Sequence, residues 1–182
     1  MNRLHNDVTA QKQKSRASEP TQAAIDTFYR HPPYRAETDS VAALDRLWGA
    51  SLLLGELMQR GLAERGITLA RAAVLSLLAR AGSSTQRSLS SVLRVTPRNI
   101  TGLVDALEGE GLVARSPHPT DRRATLVSLS DAGAALAARL KREQDAFAER
   151  LFAGADPEEL QAFMRMVDRV LVQVAERLGP PR

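Results

Sequence analysis

Between Thr96 and Leu129 the spacing of apolar residues changes once, from the 3.6-residue repeat of a helix to two short β-type runs. That single change limits the fold more than any other feature of the chain. Thr96 followed by Pro97 is a helix start. The hydroxyl can accept from a free backbone N–H, and proline lacks only an N–H that would be unpaired there anyway. Beyond it Ile100, Leu103, Val104 and Leu107 fall on one side. Arg98, Thr101, Gly102 and Asp105 fall on the other, with Asn99 beside them, and Gly109 and Gly111 end the element. Residues 112–115 and 124–129 then read as a hairpin, joined by a loop (116–123) with two prolines and the charges of Asp121, Arg122 and Arg123.

The flanks are helical. Residues 85–93 form a short helix capped by Thr85, and Arg94-Val95 turns the chain into the helix at Thr96. Residues 68–81 form another, closed by the breaker Ala81-Gly82-Ser83-Ser84. Upstream, Val41, Leu44, Leu47, Trp48, Leu52, Leu54 and Met58 mark a long amphipathic helix over 41–64. Gly49, Gly55 and Gly61 weaken it by about 1 kcal/mol each, so packing must support it. Downstream, Ser130 caps a helix to about Phe152, and Asp156 with Glu159 is a capping-box variant opening the last helix. Leu160, Phe163, Met164, Val167, Val170, Leu171 and Val174 line one stripe of that helix, more apolar surface than a lone helix keeps in water. Residues 1–20 are polar and are expected to be a disordered tail. In 21–40, Phe28, Tyr29, His31 and Tyr34 surround Pro32-Pro33, which suits an arm docked onto the body.

The expected class is therefore mainly α with a small β-hairpin wing. Residues 68–129 would be a winged helix-turn-helix lobe, flanked by the helices of 41–65 and 130–178, of which the last needs a partner. Aromatic residues make up only 4% of the chain, against an all-β core. There is no cysteine, which removes disulfides, thiolate metal sites and thiol chemistry. His5, His31 and His118 are scattered and no nucleotide-binding loop is present, so neither an enzyme nor a cofactor or metal site is expected. No apolar stretch reaches the roughly 18 residues that cross a bilayer, nor does a signal peptide's apolar segment open the chain, so a cytoplasmic protein with no membrane partner is expected.

Two short helices joined by a tight turn, the second with a hydrogen-bonding face, place side chains in a DNA major groove. Arg98 can fork onto guanine and Asn99 can pair with adenine, while Thr96 and Thr101 suit phosphates or thymine methyls. The hairpin tip would carry Arg122 and Arg123 into a minor groove, with Asp121 orienting a neighbouring arginine. A winged helix that binds protein would instead show apolar residues at these positions.

The run Thr96-Pro-Arg-Asn-Ile-Thr-Gly-Leu-Val-Asp-Ala-Leu-Glu, then Gly111-Leu-Val-Ala-Arg, then Pro119-Thr-Asp-Arg-Arg-Ala-Thr-Leu-Val-Ser-Leu-Ser-Asp-Ala-Gly, resembles the signature of the bacterial MarR (multiple antibiotic resistance regulator) family. The similarity covers roughly residues 41–178. It implies a homodimer on double-stranded DNA, with 41–65 and 130–178 supplying N- and C-terminal dimerisation helices, a pseudopalindromic operator, repression, and release by a small aromatic or anionic effector. It makes Thr96 to Asp105 the recognition helix. The DNA-facing set becomes Thr85, Ser88, Arg94, Thr96, Arg98, Asn99, Thr101 and Gly102, with Asp121, Arg122 and Arg123 in the wing. Trp48, Leu52, Met58 and Arg71 could line the effector cleft. One departure stands out. Arg94 occupies a turn position where the family often has glycine, so it must take a left-handed conformation or a different turn.

Overall fold

The computed structural model describes residues 38–121 and 124–179. The tail, most of the arm, and the wing-tip Arg122 and Arg123 lie outside the described residues. The chain divides after Arg60 into two compact units, each described by itself.

In the first unit the described structure is the bulk of α1 (Asp39–Ala63). It begins two residues before the expected position 41, because Thr38 caps it: the Val41 N–H donates to Thr38 Oγ1 at 3.3 Å. Asp39 in the first turn favours the positive helix end. No residue of α1 is buried, and Trp48 is 66% exposed.

The second unit holds α2 (Leu69–Ala81), β1 (Ser84–Thr85), α3 (Gln86–Leu93), α4 (Pro97–Gly109), β2 (Val113–Pro117), β3 (Thr125–Leu129), α5 (Asp131–Leu151) and α6 (Pro157–Leu178). Thr68, Thr85, Thr96, Ser130 and Asp156 stand at the N-caps, each side chain accepting from a first-turn N–H. Such a cap contributes about 1 kcal/mol. The core takes Val74, Leu75 and Leu78 from α2, Leu89 from α3, and Ile100, Val104 and Leu107 from α4. Val113, Val127 and Ala137 close it from β2, β3 and α5. Burying side chains of this size stabilises by roughly 1.5 to 3 kcal/mol each. Packing of this kind holds α3, which is too short to persist alone.

The expected β2-β3 hairpin is present, and two details go beyond it. Among the described residues the sheet carries a third strand, in the antiparallel order β1-β3-β2. Ser84, read above as part of a breaker, pairs with Val127, and Thr85 pairs with Leu126. The central strand needs hydrogen-bond partners on both sides, and two residues ahead of α3 supply the second. β2 also runs on to Pro117, opposite Thr125, instead of ending at Arg115. β2 is an edge strand, where a residue without an N–H is tolerated.

A tight joint connects α4 to α5. Ser130 Oγ donates to Gly111 O at 2.6 Å and accepts from the Gly133 N–H at 3.1 Å, while the Ser130 N–H donates to Leu112 O at 3.1 Å. Gly133 is buried here, and a Cβ on it would sit 1.9 Å from Leu112 O. Farther along α5, Arg65 Nε approaches Glu143 Oε2 at 2.6 Å and Arg139 Nε approaches Glu143 Oε1 at 3.1 Å. The Arg65 hydrogen bond, aided by Arg139, holds the Glu143 carboxyl below the usual carboxylate range. α6 differs from the other helices of its unit. None of its residues is buried, and Phe163, Met164, Met166, Leu171, Val172 and Val174 are all exposed.

Candidate nucleic-acid interface

α4 packs one side against the core and leaves the other exposed. Ile100, Val104 and Leu107 are buried, whereas Thr96, Arg98, Asn99, Thr101 and Gly102 are exposed. Thr96 Oγ1 accepts from the Asn99 N–H at 3.2 Å, so this hydroxyl already serves as the cap. Thr101 Oγ1 lies 3.0 Å from Gln86 Oε1 and 2.9 Å from Pro97 O, so its single proton is directed to α3 or to its own helix. Arg98 and Asn99 remain the side chains on this face with base-reading chemistry.

Gly102 sits on the same face, and nothing lies within 4 Å of where its Cβ would be. A glycine inside a helix is about 1 kcal/mol less favourable than alanine. The protomer offers no steric reason for it, but close approach of a phosphate backbone would. Gly102→Ala should therefore raise protomer stability by about 1 kcal/mol while weakening duplex binding, read by paired thermal melts and DNA titrations. Unchanged affinity would mean that nothing approaches this backbone closely.

The turn and the preceding helix are organised by their own backbone. Thr85 Oγ1 accepts from the Ser88 N–H at 3.1 Å, and Ser88 itself is exposed. Arg94 takes the left-handed option, with φ 53° and ψ 37°, and caps α3 through N–H bonds to Ser90 O and Ser91 O. That conformation costs a side-chain-bearing residue roughly 1 to 2 kcal/mol. The Arg94 guanidinium does not hang free: Nη1 donates to Gly179 O, the C-cap of α6, at 3.1 Å. In the wing, His118 Nδ1 accepts from the Asp121 N–H at 3.1 Å and the Thr120 N–H at 3.3 Å. Asp121 O accepts from the Ala124 N–H at 3.0 Å, which fixes both stems of the tip.

Sequence reasoning missed the acidic half of α4. Arg115, on β2, reaches Asp105 at 2.5 Å and also pairs with Glu108. Arg71, assigned above to an effector cleft, pairs with Glu110 at 2.6 Å just past the end of α4. The signal for Arg115 was present. Alternation along β2 puts it on the same face as buried Val113, and Asp105 and Glu108 are three apart on one helix. Of the other cleft candidates, Trp48, Leu52 and Met58 are exposed on α1. Among the described residues no cluster of three histidines or carboxylates could hold a metal ion, and no helix is long and apolar enough to cross a membrane.

The MarR family model matches residues 67–125, from the residue before the α2 cap through the wing loop. An HTH-type transcriptional regulator of Mycobacterium bovis is 38% identical over 86 residues, 47% of this chain and 60% of that protein. The matched part thus spans about three fifths of that relative's length. The crystal structure of a MarR-family transcriptional regulator from Rhodococcus sp. RHA1 superposes with TM-score 0.62 at 25% identity, covering 74% of this chain and 96% of that one. The protein in the Staphylococcus aureus MepR–DNA complex superposes with TM-score 0.62 at 20% identity, covering 74% and 97%, a likeness of fold.

Proposed function

We propose that the chain is a transcriptional regulator of the MarR family, not an enzyme, that binds a pseudopalindromic operator as a homodimer. The observation that carries this reading is α4: one side packs into the core through Ile100, Val104 and Leu107, and the other presents Arg98 and Asn99 beside a bare Gly102. Each protomer lays α4 in a major groove. The wing, with Asp121, Arg122 and Arg123, reaches the flanking minor groove, where a narrow groove concentrates negative potential. Thr85, Ser88 and Thr96 line the phosphates. The exposed apolar side chains of α6 favour a second copy as partner, since a lone protomer would leave them in water.

A dimer seated across a promoter excludes polymerase, so repression is the proposed outcome. Trp48, Leu52 and Met58 expose apolar surface on α1 suited to a small aromatic anion that releases the DNA.

The test is a salt-series titration against a duplex enriched from a randomised pool, with an unrelated duplex as control. Wild type should prefer the enriched duplex and lose affinity steeply with salt. Arg98→Ala should cost about 1 to 3 kcal/mol and relax base preference. Intact affinity and preference in Arg98→Ala would sink the docking register. Benzoate added to the same titration should weaken binding, and a reporter behind the enriched site should be silenced when the protein is supplied.

A further inference from the structure

We propose that Arg115 is a positioning residue of the DNA interface: by bridging β2 to Asp105 and Glu108 of α4, it fixes the angle between wing and recognition helix and so sets specificity. The inference rests on the DNA-binding reading above and adds a residue to it that need not touch DNA. Arg115 stands opposite Val127 in the middle of the β2-β3 ladder, two residues before the strand ends at Pro117 and the wing loop begins. Its guanidinium reaches two carboxylates three residues apart on one helix face. A planar fork held at both ends by separate acceptors admits little rotation of either element.

The site is partly desolvated, with the Arg115 side chain 23% exposed. Burial works against its charge. The Asp105 and Glu108 carboxylates more than compensate and keep its pKa above the ordinary arginine value. Pairing also keeps two negative charges on the recognition helix from meeting phosphates unscreened.

A helix in the major groove and a wing in the adjoining minor groove contact one duplex at two places, so their relative angle matters only when both are seated. Non-specific binding rests on summed charge and tolerates a loose angle. The brace should therefore act on the ratio of specific to non-specific affinity. Charge compensation alone predicts something different.

Three variants separate the two: Arg115→Gln, Arg115→Lys, and the triple Asp105→Asn, Glu108→Gln, Arg115→Gln. Each is titrated against the enriched duplex and the unrelated one, and amide exchange is followed in the free protein. Arg115→Gln should weaken both duplexes through the lost charge, lower affinity for the enriched duplex by about tenfold beyond that shared loss, and speed exchange in β2 and the last turns of α4. Lysine, a point charge without a fork, should restore only part of the ratio. The triple variant removes both carboxylates along with the cation, and it should bind both duplexes by charge yet keep the lowered ratio. A triple variant with wild-type discrimination would overturn the brace in favour of charge compensation. So would an Arg115→Gln variant whose ratio and exchange match wild type. Should wild type itself fail to discriminate, the DNA-binding reading falls, and exchange in Arg115→Gln still decides whether the brace exists.

Discussion

Gly133→Ala should be among the most destabilising single substitutions in the protein, lowering stability by about 3 kcal/mol or more. The added Cβ would lie 1.9 Å from the Leu112 carbonyl oxygen, which is backbone and not the yielding end of a side chain. Relief requires α5 to lift away from the segment leaving α4. That movement stretches the Ser130 bonds to Gly111 and Leu112 and the cap that Gly133 itself completes. Chemical denaturation with two probes, near- and far-UV dichroism, checks it. An alanine variant as stable as wild type would show that the joint yields without cost. Gly102→Ala, on the same chain but facing open space, is the matched control, since there the added methyl should stabilise.

If the proposed homodimer is held through α6, the double variant Leu171→Glu, Val174→Glu should leave a folded protomer that no longer dimerises. Both side chains are exposed on α6, and the core holds no residue of that helix, so the folded lobe loses nothing by the change. Four buried carboxylates at a twofold interface would be prohibitive. Because two linked contacts bind far better than one, operator affinity should fall by about 100-fold or more. Sedimentation velocity reads the mass and titration reads the affinity. A dimer that survives both glutamates would place the subunit contact away from this face of α6.

Helix boundaries were legible because their determinants are local. Thr85, Thr96, Ser130 and Asp156 each carry a side chain that satisfies N–H groups two or three residues on, so these caps were read without knowing the fold, while the caps at Thr38 and Thr68 emerged with the structure. The core side of α4 was legible for the same reason, as a period of 3.6 needs no partner to be recognised. β1 was not. Two residues have no period, and Ser84 and Thr85 become a strand only because β3 lies alongside them. Pro117 escaped likewise, since only the sheet order makes its position an edge.

The candidate site divides along the same line. Arg98, Asn99 and Gly102 were legible as an exposed polar face opposite an apolar one. Thr101 was read as a base or phosphate contact, and in the folded chain its hydroxyl also reaches Gln86 on the neighbouring helix. Strand alternation and the spacing of Asp105 and Glu108 hinted at Arg115, but the partner of Arg71, Glu110 just past α4, could be named only from the folded chain.

By itself the sequence determined where most helices begin and end, which sides of them are apolar, and that two short β-type runs follow α4. All of these follow from interactions within a few residues of chain. Tertiary structure alone decided that the wing sheet is three-stranded, that α5 locks onto the exit of α4 at a glycine with no room for a methyl, and that Arg115 on β2 and Arg71 on α2 pair with carboxylates in the second half of α4 and just past its end. Those outcomes join residues far apart in the chain, and no local period or cap encodes which distant partner a backbone carbonyl or a guanidinium will meet.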